Sequence, residues 1–173
     1  MKASAIGLGL LLAGAAMLSP GPSAARENAL PPPQDTIILR ISGNIARTNA
    51  GQEAHFDRAM IEALPIRHLQ TSTAVTDGVN LFEGVLIRDL LDAVGAQGEV
   101  VSATALNDYT IDIPIEDFTE FGVIAAFSMD GTRLLPRDKG PLWIVYPRDD
   151  HAELLDIRYD YRWVWQLDRL EVR

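Results

Sequence analysis

Hydrophobic and polar positions alternate over Thr36–Ser42: Ile37, Leu39 and Ile41 share one face, Ile38 and Arg40 the other. A period of two predicts a half-buried strand, and Gly43-Asn44 is the turn that ends it. After a polar loop at 49–53 the period lengthens. Phe56, Met60, Ala63 and Leu64 recur at helical spacing, and Pro65 stops that helix. Ile66–Thr73 predicts a short strand that runs into the polar segment TSTAVTDG, read as loop. Leu86, Leu90, Leu91 and Val94 predict a second amphipathic helix, closed by Gly95. Val100–Leu106 and Tyr109–Ile113 predict strands joined through Asn107-Asp108, and Pro114 suits the first position of a helical turn reaching Phe118. Val123–Met129 predicts a buried strand, Asp130-Gly131 a tight hairpin turn, and Leu142–Tyr146 another apolar strand.

The strongest alternation lies near the C-terminus. Tyr159, Tyr161, Trp163, Trp165 and Leu167 fall on one face of the expected strand, with Arg158, Asp160, Arg162 and Gln166 on the other. Leu170 and Val172 have the opposite parity, which predicts a bulge near Asp168-Arg169. The sum is an α+β fold: a mixed, strand-rich sheet with two or three packed helices.

The first 25 residues stand outside this pattern. Met1-Lys2 gives a positive start, Ile6–Leu18 is a nearly continuous apolar run, and Ser23-Ala24-Ala25 reads as a small-x-small cleavage site. Those features predict a secretory signal peptide on the general route, hence a periplasmic or secreted protein; an uncleaved anchor is the alternative. The run is shorter than the roughly 20 apolar residues of a spanning helix, so no stable membrane insertion is expected after cleavage. Residues 26–35 read as a flexible proline-rich arm, and 36–173 as one domain.

Charge and composition then remove whole classes of chemistry. The 173-residue chain carries a formal charge of −9, and loss of Lys2 with the signal makes the mature form more acidic still. That balance disfavours nucleic acid and anionic lipid as partners. There is no cysteine, so thiol catalysis, thiolate metal ligation and a lipid anchor on an N-terminal cysteine are all excluded. His55, His68 and His151 lack zinc-ligand spacing. No Gly-x-Ser-x-Gly elbow and no glycine-rich phosphate loop is present.

At Asn107-Asp108-Tyr109, the Ile113-Pro114 step, Asp130-Gly131 and KGPLWIVYP (139–147), the chain resembles the molybdopterin-binding domain of the sulfite-oxidase type. The likeness continues into FEGVLIRDLLDAVGA (82–96) and YRWVWQLDRLEV (161–172). It implies that fold, and an activity of two-electron redox at a molybdenum held by a pterin dithiolene and a protein cysteine. Counted back from Phe82-Glu83-Gly84, the cysteine position falls among Thr71, Ser72 and Thr73, with Ser72 nearest. A neutral hydroxyl is a poor substitute for a soft thiolate. Ser72 and Thr73 are read first as loop hydroxyls bonding their own backbone, with hydrogen bonding to a pterin or phosphate as the alternative.

The resemblance also places Asn107, Asp108 and Tyr109 beside the cofactor, whereas on the residues alone they are good turn chemistry; both readings stay open. Trp143 stands where related catalytic domains carry an arginine, and reads as core or pocket wall. Arg148-Asp149-Asp150-His151 puts acids where the family leads toward a phosphate-contacting stretch, leaving only Arg158 and Arg162 to compensate. A cation site on Asp149, Asp150, His151 and Glu153 is outweighed by solvated loop charge. Three functions follow: a domain that binds a pterin-type or small anionic ligand weakly or not at all, a non-catalytic module serving an exported or membrane-bound protein partner, and an oxidoreductase whose metal is held by the dithiolene alone.

Overall fold

The computed structural model describes residues 29–173, so the expected signal peptide lies outside the described residues. Two five-stranded sheets are built from ten strands. In the first, β1 (Ile37–Gly43) lies between β2 (Ala54–Asp57) and β10 (Leu167–Val172), and β10 continues to β5 (Val100–Ala105) and β6 (Thr110–Pro114). The β1–β10 pair is parallel and its neighbours are antiparallel, so the sheet is mixed. The second sheet runs from β3 (Ile66–Ser72) through β4 (Val79–Leu86) to β7 (Ile124–Met129), which pairs with both β8 (Thr132–Arg133) and β9 (Trp143–Val145). Apolar residues of both sheets, with Ile87, Leu90, Leu91 and Val94 of α2 (Ile87–Val94) and Phe118 of α3 (Ile115–Glu120), form one buried cluster. No described helix is long and apolar enough to cross a membrane.

Most boundaries follow the local chemistry. Gly95 closes α2 at φ 62°, the left-handed region that favours glycine. Asp130 and Gly131 both have positive φ, as a two-residue hairpin of this twist requires. The expected bulge in β10 is present as a register shift between Leu167 and Arg169. Pro114 ends β6 and caps α3 rather than occupying its first turn.

Three elements depart from expectation. The helix expected from Phe56 is only α1 (Arg58–Glu62). Asp57 Oδ1 accepts from the Met60 amide at 2.9 Å and fixes the start there, leaving Phe56 in β2. Strand β4 was hidden because its outward Val79 and Leu81 are apolar while Asn80 and Phe82 point inward. Gly84 in β4 permits close approach to β7, since a Cβ there would lie 2.4 Å from the Ala125 carbonyl oxygen.

The third departure matters most. Tyr159–Leu167 is not a strand: a 3-10 turn (Ala152–Leu155) leads into the short α4 (Ile157–Asp160) and an irregular segment, and β10 begins only at Leu167. Tyr159, Tyr161, Trp163 and Trp165 therefore do not share one core face. Trp163 is 5% exposed, whereas Tyr161 is 58% and Trp165 39% exposed. The segment is fixed by contacts other than a ladder. The Ile144 amide donates to Val164 O, the Leu106 amide to Gln166 O, and Gln166, at φ 53°, donates through Nε2 to Pro136 O and Asp138 O.

Candidate functional site

A cleft of about 260 Å³ opens between the β5–β6 turn and the segment after α4. Asn107 and Tyr109 line it from the turn; Asp160, Tyr161, Trp163 and Trp165 line it from the segment. Asn107 Oδ1 accepts from the Tyr109 amide at 3.1 Å, which shapes the turn. The Tyr109 hydroxyl then donates to Tyr161 O at 2.9 Å and bridges the two walls. Burial, followed by the nearby Tyr161, pushes the Tyr109 phenol above its ordinary value, so it stays protonated as that donor. Trp163 forms the floor, with Trp143 edge-on behind it at 6.2 Å between centroids.

Behind this wall lies a buried polar knot. The Tyr146 hydroxyl donates to Asp117 Oδ2 at 2.8 Å, and Arg162 Nη1 donates to the same oxygen. Asp117 is 6% exposed and Tyr146 fully buried. Burial, then the charge of Asp117, pushes the Tyr146 phenol well above its ordinary value. Burial alone would lower Arg162, but the hydrogen bond and charge of Asp117 reverse that and leave it raised. Arg162 also stacks over the Tyr159 ring, 4.7 Å from its centroid. α3, the end of β9 and the aromatic segment are thereby held at one point.

The candidates divide into three groups. Asn107 and Tyr109 reach the cleft, while Asp108, at φ 63° with its side chain 87% exposed, points away and accepts from Arg169 at 3.0 Å. Trp143 is fully buried in β9, edge-on to Phe82 at 5.4 Å, and backs the cleft without lining it. Ser72 ends β3 and Thr73 follows it, and neither lines the cleft. Thr73 Oγ1 accepts from the Val75 and Thr76 amides, as expected of a loop hydroxyl. Ser72 does something else: its amide and hydroxyl both donate to the Asp149 carboxylate, at 2.7 and 2.6 Å. The hydroxyl bond first, and the amide bond next, hold Asp149 below the usual carboxylate range.

Sequence reasoning missed Asp149 as the partner of Ser72, and missed Asp160, Tyr161 and Trp165 as cleft residues. Asp149 was read among solvated acids, and nothing local distinguishes it from Asp150. The aromatics were legible as a group, but strand parity assigned them to the core. Among the described residues no group of three His, Asp or Glu side chains is arranged to hold a metal ion.

The donor set can be tested against a molybdenum–pterin group. In its cysteine-ligated form the metal takes a soft thiolate, and the hydroxyl nearest the expected position is neutral and already donates to a carboxylate. A pterin phosphate requires cations. Those beside the cleft are paired with carboxylates, Arg148 with Asp160 at 2.9 Å, Arg162 with Asp117 and Arg169 with Asp108, while Arg67 and Arg88 line a separate cleft with His68 and His151. These residues do not fit the cysteine-ligated form of the group.

No curated protein sequence matches the chain. Among solved structures it is similar to the sulfane dehydrogenase SoxCD from Paracoccus pantotrophus, at 18% identity and a TM-score of 0.58. That match covers 78% of this chain but only 37% of the SoxCD chain, so it speaks for the fold and not for the activity of the larger protein. The family described as the oxidoreductase molybdopterin binding domain matches residues 51–153, from the loop before β2 through the turn that carries Asp149. That span holds β2 to β9 and more than half of the chain: the chain belongs to the oxidoreductase molybdopterin binding domain family.

Proposed function

We propose that this protein is an exported, non-redox member of its family that binds a small organic ligand in the aromatic cleft. The observation that carries the reading is the pairing of Ser72 with Asp149. A carboxylate of the chain itself occupies the donors nearest the place where the family's metal ligand is expected, while a separate apolar cleft stays open. Ligand sites are commonly concave and mostly apolar with a few placed polar groups, which describes this cleft. Export rests on the apolar N-terminal run and its cleavage motif. The anionic ligand first expected finds no cation among the lining residues.

The test is elemental analysis for molybdenum and tungsten on mature protein purified natively from the periplasm, together with tryptophan-fluorescence titration of small ligands. The expected result is substoichiometric metal and a saturable signal from Trp163 and Trp165. Near-stoichiometric molybdenum would overturn the reading in favour of an oxidoreductase whose metal is held by the dithiolene alone.

A second reading, an interaction module for an exported or membrane-bound protein, is favoured by Leu155, Ile157 and Tyr161. These apolar side chains are 59%, 64% and 58% exposed within one short segment. Crosslinking in cells should give a partner adduct that Ile157→Lys abolishes; an adduct unaffected by that change would remove this face from consideration.

A further inference from the structure

The lining of the aromatic cleft has a chemical bias that the family's cofactor does not share. Four of its side chains are the aromatic rings of Tyr109, Tyr161, Trp163 and Trp165. Its one charged residue is Asp160, and no lysine or arginine lines it. The nearest guanidiniums are directed at carboxylates: Arg148 at Asp160 and Arg162 at Asp117. Trp163 stacks edge-on with Trp143, and lies tilted to Tyr146, while Tyr109, Tyr161 and Trp165 stack on no other ring among the described residues. No other ring among the described residues therefore covers their faces. Tyr109 is held across the opening by its bond to Tyr161 O, and Trp163 is fixed by its burial, so part of the lining is already organised.

An aromatic face carries negative electrostatic potential, and several around one space attract a compact, weakly hydrated cation. An anion there would meet those faces and the Asp160 carboxylate, whose neighbouring guanidinium, Arg148, is already paired with it and lies outside the lining. A neutral ring would gain apolar burial but nothing from Asp160. The acidity of the whole chain, at −9, acts in the same direction by raising the local concentration of cations. Only one wall, Asn107 and Tyr109, falls within the residues that match the family; the other, 160–165, lies beyond them.

We propose that the cleft between the β5–β6 turn and residues 160–165 is a binding site for a small organic cation of the methylated ammonium class. The proposal rests on the reading of the cleft as the ligand site and names its ligand class.

The experiment is a titration of the purified protein with choline and with 3,3-dimethyl-1-butanol, its uncharged isostere, followed by tryptophan fluorescence and by the indole N–H resonances. Both probes carry a hydroxyl and a compact branched head, so charge is the variable. Choline should bind about tenfold more tightly, within the roughly twofold to thirtyfold range of a cation over aromatic faces. Trp165→Ala should remove most of that preference and Trp165→Phe retain part of it. Because Trp165 is 39% exposed, neither change endangers folding. Asp160→Asn should weaken choline severalfold, since it removes the carboxylate and releases Arg148 beside the cleft.

Equal affinity for the two probes would overturn the assignment of a cation. So would tighter binding of lumazine, a neutral pterin-like ring, although that result would uphold the cleft as a ligand site. No saturable response to any of the three would overturn both the ligand class and the cleft itself.

Discussion

The knot of Asp117, Tyr146 and Arg162 offers the sharpest test of how the cleft is held. Asp117→Ala removes the shared acceptor. The fully buried Tyr146 hydroxyl is then left without a partner, at a cost of about 1–3 kcal/mol. Arg162 also loses its carboxylate. A fully buried ion would cost about 3–5 kcal/mol on losing its partner, but the Arg162 side chain is 22% exposed and water recovers part of that. The net expectation is a loss of about 3 kcal/mol. Tyr146→Phe removes one donor and leaves Asp117 bonded to Arg162, so it should cost about 1–2 kcal/mol. Asp117→Asn keeps an acceptor for the phenol but not the charge, and belongs between the two.

Equilibrium urea unfolding gives these differences directly, provided the slope is unchanged. Thermal unfolding gives a second measure, because a domain of this size loses roughly 2–4 °C per kcal/mol. Asp117→Ala should therefore lower Tm by about 6–12 °C. Near-ultraviolet circular dichroism should report loosening of Trp163, which follows Arg162 directly in the chain. If Tyr146→Phe cost as much as Asp117→Ala, or Asp117→Ala less than about 1 kcal/mol, the knot would not be what fixes the segment.

Three further outcomes are expected. Trp143→Ala should cost about 3–5 kcal/mol in urea unfolding. Trp143→Phe should cost much less, because the indole N–H it removes has no hydrogen-bond partner to lose; equal costs would contradict this. The Asp149 carboxyl is depressed by its bonds to Ser72, so that stabilisation is present above the unfolded carboxylate value, about 3.9, and is lost as pH falls through the lower folded value. The gap in urea midpoint between wild type and Ser72→Ala should thus stay constant from neutral pH to about pH 5 and close at lower pH; a gap that persists in strong acid argues against the pair. Finally, Ser72→Cys should give a thiol whose pKa lies above the ordinary value of about 8.5, because the Asp149 carboxylate opposes ionisation. The pH dependence of alkylation measures it, and Asp149→Asn on that background should bring it down.

What could be read in the chain was whatever a local period or a turn residue controls. Gly95, Asp130-Gly131 and the parity break at Asp168-Arg169 each impose a backbone conformation through their own chemistry, and each is found where expected. Asn107 likewise bonds within its own turn. Two of the failures share one cause, a partner distant in sequence; the third is local. Tyr159–Leu167 has the alternation of a strand, but its backbone bonds go to Ile144, Leu106 and Lys139 rather than to a continuous ladder. Ser72 is partnered across 77 positions, beyond any motif reading. Phe56 had helical spacing to Met60, yet the side chain of Asp57 between them bonds the Met60 amide and sets the boundary.

The same long-range contacts give the acidity of the chain a structural meaning. Asp149 accepts from Ser72, Asp117 from Arg162, Asp160 from Arg148 and Asp108 from Arg169. Asp160 and Asp117 take up Arg148 and Arg162, the guanidiniums beside the aromatic cleft, so an anion entering that cleft would have to displace an internal carboxylate already in place. Displacement costs the lost pair as well as the desolvation of the newcomer. A guest that needs no such donors, and meets aromatic faces beside an Asp160 already paired with Arg148, displaces no internal carboxylate. That difference, more than the absence of cysteine, is the ground for proposing a ligand of another kind from the one its family is built around.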